Sequence, residues 1–266
     1  LLSFSNDGFL KLWDLVDRSL IADLDPQIRY SNGFQLDSDG KVVLGVNFDA
    51  QPQLWHLDSP DNGLTLQGHS QGVSKLRLSR DGKIAASAAG GSEIFIWDLQ
   101  RAELLHRLAG HGADVDALLL KDSMNGLVSA AHDGSIKVWS TSDGMLLFDL
   151  VGHTAWITHL RNADKNGRIL SVDGTGAVFL WDIQTGERLA AFEGHIGTVT
   201  GLVPRPDANT LLTSGSDKSV RVWHLDNGQQ LARFQLEQRP VSMVFSGVEN
   251  DIVVSNAGGA VHFLRM

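Results

Sequence analysis

The sequence predicts an all-β fold built from one four-stranded antiparallel unit used repeatedly, and three observations predict it. Tryptophan stands at 13, 55, 97, 139, 181 and 223, every interval being 42 residues. Around these tryptophans apolar and polar residues alternate with period two, the mark of a strand with one buried face. The 28 glycines and 6 prolines are spread along the whole chain, which suits many short strands and tight turns better than long helices.

Composition narrows the partners. With 266 residues, 42% of them hydrophobic and 20% charged, the chain is ordinary globular material, and disorder over most of its length is excluded. A formal charge of −9 favours solubility and argues against nucleic acid or an anionic membrane as partner. The absence of cysteine removes disulfides, thiolate metal sites and cysteine nucleophiles. No apolar run approaches the ~20 residues of a membrane helix. The sequence opens without methionine inside "LLSFSNDG", which reads as mid-strand. A missing N-terminal segment or domain is therefore expected, and the compartment stays open.

Taken in order, residues 1–24 hold "LLSFS" and the tryptophan strand "FLKLWDL" (9–15), the second and third strands of a first unit. Residues 25–66 carry Trp55 in a second unit. From there the pattern is complete. Runs such as "VSKLRLS" (73–79), "VDALLL" (115–120), "ITHLR" (157–161) and "VTGLVP" (199–204) come first. They are followed by "IAASAA" (84–89), "GLVSAA" (126–131), "RILSV" (168–172) and "TLLTSGS" (210–216), each closing on a Gly, Asp or Ser turn that reads as a hairpin. The tryptophan strands "IFIWDL" (94–99), "SIKVWS" (135–140), "AVFLWDI" (177–183) and "SVRVWHL" (219–225) come third, and runs such as "LLFDL" (146–150) and "LARFQL" (231–236) fourth. The units fall at 67–108, 109–150, 151–192 and 193–236. A seventh, 237–266, has three strands, "VSMVFS", "DIVVSN" and "AVHFLRM", with Leu264 in place of tryptophan.

Gly-His pairs at 68–69, 110–111, 152–153 and 194–195, each His 28 residues before its Trp, and Trp-Asp at 13–14, 97–98 and 181–182 resemble the WD-repeat β-propeller family, in a form similar to bacterial members. The resemblance spans essentially the whole chain and implies a single domain over 1–266, a seven-bladed β-propeller whose first and last blades are incomplete here. An upstream piece of roughly 15–25 residues would supply both missing strands at usual strand and turn lengths. The family's hydrogen-bonded chain of His, Ser/Thr, turn Asp and Trp is implied for His69, Ser87 and Trp97; His111, Ser129, Asp133 and Trp139; His153, Ser171 and Trp181; and His195, Thr213, Asp217 and Trp223. Ten residues before the Trp the second blade has Gly45, and six before it the third and fifth have Gly91 and Thr175 instead of Asp. The two blades with all four members are expected to be the stiffest. Although His, Ser and Asp are the ingredients of a triad, several interchangeable copies point to structure, since catalysis needs one site.

The resemblance also implies three positions per blade on the face where partners dock. In this chain they include Tyr30, Asn32 and Phe48; Asp114, Asp116 and His132; and Trp156, Thr158 and Gly174. Trp156 is the one tryptophan of seven outside the 42-residue lattice, and Tyr30 is the only tyrosine. Exposed Trp and Tyr are hot-spot residues, and neighbouring carboxylates would suit a partner with an apolar residue and a Lys or Arg. Asp114, Asp116 and His132 lack a fourth ligand, so no metal is expected. "LDSDGK" (36–41) lacks the third acidic ligand and the terminal Glu of a calcium loop and reads as an Asp-Gly hairpin turn, and "DGTGAV" (173–178) lacks a phosphate-loop lysine and a following helix, so no cofactor is expected either. The reading is a non-enzymatic protein-interaction scaffold or sensor module with an unidentified protein or peptide partner. Its alternatives are a ligand-binding or enzymatic propeller using the central channel, where Lys75, Arg77, His159 and Arg161 scatter, and the regulatory half of a larger signalling enzyme.

Overall fold

A computed structural model of the chain describes residues 1–4, 10–24, 34–47, 49–58, 63–121, 124–165, 167–205, 209–246 and 251–265. Among the described residues the regular structure is strand, in seven antiparallel sheets taken up in chain order. The first sheet has Leu2–Phe4, Leu10–Trp13 and Leu20–Leu24. Four strands make each of the next five. The third contains Val73–Leu78, Ile84–Ala89, Ile94–Asp98 and Glu103–Leu108, and the fifth contains Ile157–Asn162, Arg168–Asp173, Val178–Asp182 and Arg188–Phe192. The sixth has Val199–Arg205, Thr210–Gly215, Ser219–His224 and Gln230–Gln235. Three strands, Pro240–Phe245, Ile252–Asn256 and Val261–Leu264, make the seventh, so the first and last sheets in chain order are the three-stranded ones.

The alternation places the core. Second and third strands lie between two neighbours and are covered on both faces: every residue of Gly126–Ala131 and Thr210–Gly215 is buried. Outer strands such as Gln230–Gln235 alternate instead between exposed and half-buried positions. Two register shifts recur. One falls at the start of the first strand, between Val73 and Lys75, Ile157 and His159, and Val199 and Gly201. The other falls beside the tryptophan, between Ile96 and Trp97, Leu180 and Trp181, and Val222 and Trp223. Bulges of this kind bend and twist a strand.

The described chain divides into two compact units, Leu1–Ala131 with Val138–Leu147, and His132–Lys137 with Phe148–Met266. In the first, Leu44, Leu54, Leu76, Phe95 and Trp97 share one core cluster, while Ala86, Ile96, Leu118, Leu127 and Trp139 share another. The second packs Leu170, Leu180, Phe192, Leu211 and Trp223 in one cluster and Leu212, Val222, Met243, Ile252 and Val254 in another. In each of these clusters side chains from two successive sheets pack together.

Candidate functional site

The repeated polar residues assemble as the spacing implies. Trp97 Nε1 donates to Ser87 Oγ at 2.7 Å, and the same hydroxyl meets His69 Nε2 at 2.6 Å. Ser129 joins Trp139 and His111 at 2.8 and 2.6 Å, Ser171 joins Trp181 and His153 at 2.8 and 2.6 Å, and Thr213 joins Trp223 and His195 at 2.7 and 2.8 Å. In the first sheet Trp13 Nε1 reaches Ser3 Oγ at 2.7 Å. A hydroxyl that accepts from indole and donates to imidazole has its one proton committed within the sheet. These hydroxyls are also fully buried at Ser87, Ser129, Ser171 and Thr213, so no substrate reaches them as nucleophiles.

The sixth sheet completes the chain with Asp217, whose carboxylate oxygens lie 3.0 and 3.1 Å from His195 Nδ1. In the fourth, Asp133 accepts from the backbone N–H and the hydroxyl of Ser135 at 2.9 and 2.6 Å. The fifth sheet was expected to lack its acid, having Thr175 at that position. It has one: Asp173 Oδ2, two residues earlier, accepts from His153 Nδ1 at 2.8 Å, and its Oδ1 holds the backbone N–H and hydroxyl of Thr175 at 2.9 and 2.6 Å. A turn of this length lets a carboxylate reach one imidazole from either end. The equivalent position eight before Trp55 holds Asn47, which caps Asp49 and Gln51. There the gap left by Gly45 is filled by Phe34, whose ring occupies the space a Cβ at Gly45 would need.

Burial decides the protonation of these groups. Loss of water lowers the His69 imidazole to about 4, with the Arg107 charge adding to it, and its ring stacks on Phe95 at 3.9 Å. Burial also lowers His153 and His195, against the opposing pull of Asp173 and Asp217. Burial alone would raise Asp217, but bonds from Ser219 and His195 outweigh it and hold the carboxyl at about 2. Neutral His, protonated on Nδ1 toward the acid and accepting at Nε2 from Ser or Thr, satisfies every bond in the fifth and sixth sheets.

Of the residues implied for docking, Tyr30, Asn32 and Phe48 lie outside the described residues. Asp114 and Asp116 fall in the first unit; His132, Trp156 and Thr158 fall in the second. Asp114 Oδ1 accepts the backbone N–H of Gly91 at 2.8 Å, so a carboxylate from the fourth repeat serves the turn where the third has glycine instead of Asp. Thr158 donates to the carbonyl of Val172 at 3.2 Å, as Ser74 and Thr200 do toward Ala88 and Ser214 at 3.4 and 3.3 Å. Trp156 is 48% exposed. Its ring stacks beside that of His132, centroids 5.8 Å apart and planes 10° off parallel, and it lies against Gly174, where a Cβ would strike the indole. One repeat on, Ile196, directly after the Gly-His pair and outside the three docking positions, is 79% exposed.

Three stretches, residues 61–98, 102–140 and 186–224, match the family described as WD domain, G-beta repeat. No curated protein matches the chain. Among solved structures, the WD40 beta propeller domain of Doa1 is similar at 24% identity and a TM-score of 0.64, over 98% of this chain and 87% of that one. The computationally designed Ika8 protein is similar at 25% identity and a TM-score of 0.57, over 100% and 92%. The class is thus an all-β propeller of four-stranded antiparallel blades. More narrowly, the chain carries WD repeats, and WD40 propellers are typical protein-interaction scaffolds and generally not enzymes.

Proposed function

We propose that this chain is a non-enzymatic interaction module that docks a protein segment on the surface of its second unit around Trp156 and His132. The observation that carries the reading is Trp156 itself. The other six tryptophans serve the 42-residue lattice, whereas this one leaves 48% of its surface open beside an exposed imidazole. A large apolar ring held in place by Gly174 and His132 loses little entropy on binding and contributes disproportionately to an interface.

The test is Trp156→Ala, assayed by capture of partners from cells of the source organism followed by titration of the captured protein. Binding is expected to weaken by about 2 kcal/mol or more, roughly thirtyfold, with Tm within about 2 °C of the parent because no lattice contact is removed. Capture and affinity equal to the parent's would refute the assignment.

A further inference from the structure

We infer that the docked segment is acidic, carrying a carboxylate four or five residues from the apolar side chain that meets Trp156. This deepens the docking proposal above and rests on it. The expectation of a basic partner rested on Asp114 and Asp116, but Asp114 already accepts the Gly91 N–H. The charges that follow Trp156 within its own unit are of opposite sign.

Trp156 leads directly into the strand Ile157–Asn162, the edge strand of the fifth sheet. Past the register shift at its start, His159 and Arg161 stand two apart and share one side of the strand. Their cross-strand partners are Val172 and Leu170, so the sheet itself offers neither a counter-charge. Asp164, further along, is bound by Arg168, which also holds Asp226. Among the described residues Arg161 makes no ion pair, and its side chain is exposed, in a chain with 31 acids to 22 bases. Asp133, next to His132 in sequence, accepts from Ser135 in its own turn.

His159 is oriented for an acceptor. Thr158 Oγ1 donates to Val172 and takes the bond from His159 Nδ1 at 3.0 Å, so Nε2 is the nitrogen left for a further partner. Burial, with the Arg161 charge adding to it, lowers the His159 pKa, so a carboxylate bound to the unused guanidinium donors is what would bring a proton onto Nε2. At about 3.3 Å per residue, Trp156 and Arg161 lie roughly 15 Å apart, which an extended partner strand spans in the same four to five residues.

A displayed library of random dodecapeptides selected on the intact chain tests this. The enriched peptides are expected to pair an aromatic or aliphatic residue with Asp or Glu four or five positions away. The same peptides should lose tenfold or more in affinity for Arg161→Glu, and peptides with the acid changed to Lys should regain it. Binding should also raise the His159 pKa, followed by its ring-proton shift, which a purely structural Arg161 would not do. Enrichment of Lys or Arg at that spacing, or unchanged binding to Arg161→Glu, overturns the acidic partner while Trp156→Ala still reports on docking. Unchanged binding to Trp156→Ala refutes the docking reading instead, and recovery of no binder above background counts against both.

Discussion

Replacing Asp173 by alanine removes a carboxylate that is 1% exposed and accepts four hydrogen bonds: from His153 Nδ1 at 2.8 Å, the Thr175 N–H and hydroxyl at 2.9 and 2.6 Å, and the Ala177 N–H at 3.1 Å. These losses are unequal. Thr175 is exposed, so water replaces its partner at little cost, whereas the fully buried His153 side chain is left with an unsatisfied N–H. A buried donor without a partner costs about 1–3 kcal/mol, and bonds to a charged acceptor lie at the upper end. Adding the weakened turn gives roughly 3 kcal/mol in all. For a chain of 266 residues that corresponds to a Tm lower by about 6–12 °C. Thr175→Ala, at the position where the repeat spacing locates the acid, should cost under about 1 kcal/mol, since it removes one bond of the four. Thermal unfolding of both variants followed by tryptophan fluorescence decides the matter. A loss at Thr175 equal to or larger than that at Asp173 would refute the assignment of Asp173 as the acid of this blade.

Acid should destabilise the protein well above the carboxylate range. With His69 at about 4 in the fold and 6.5 as its ordinary value, the unfolded chain binds more protons between those limits. The stability from keeping the ring neutral is therefore complete above about pH 6.5 and is lost as pH falls toward 4, about 2 kcal/mol of it by pH 5. His153 and His195 act in the same direction, while the contribution of Asp217, held at about 2, disappears only below about pH 4. Urea midpoints between pH 8 and 4.5 test this, and a flat profile down to pH 5 would contradict it. Asp114→Ala should cost about 1 kcal/mol through the freed Gly91 N–H, with Asp114→Asn close to the parent because the acceptor remains; amide exchange at Gly91 should quicken in the first variant only.

The lattice was legible because in four sheets the tryptophan, hydroxyl and histidine meet the same partners, so a fixed contact imposes a fixed interval in sequence. Departures from the lattice were legible only in part. Trp156 stands out by being off register, but its stacking on His132, 24 residues earlier, joins two repeats and leaves no periodic trace. Asp173 escaped because a turn carboxylate can serve the imidazole from eight or from six residues before the tryptophan, as Asp173 and Asp217 do. Gly45 looked like a plain defect until Phe34 proved to fill it. Asp114 makes the same point across repeats: a missing acid at Gly91 is replaced by one 23 residues further on. Where a repeat breaks its own rule, the physical obligation persists, because a buried donor still needs an acceptor and a buried gap still needs atoms. The compensating residue then comes from whatever backbone lies nearest. A departure with such a compensation nearby therefore belongs to the structure. Arg161 satisfies no obligation of this kind, and Trp156, although its ring covers Gly174, keeps 48% of its surface open; that separates both from the lattice as candidates for binding.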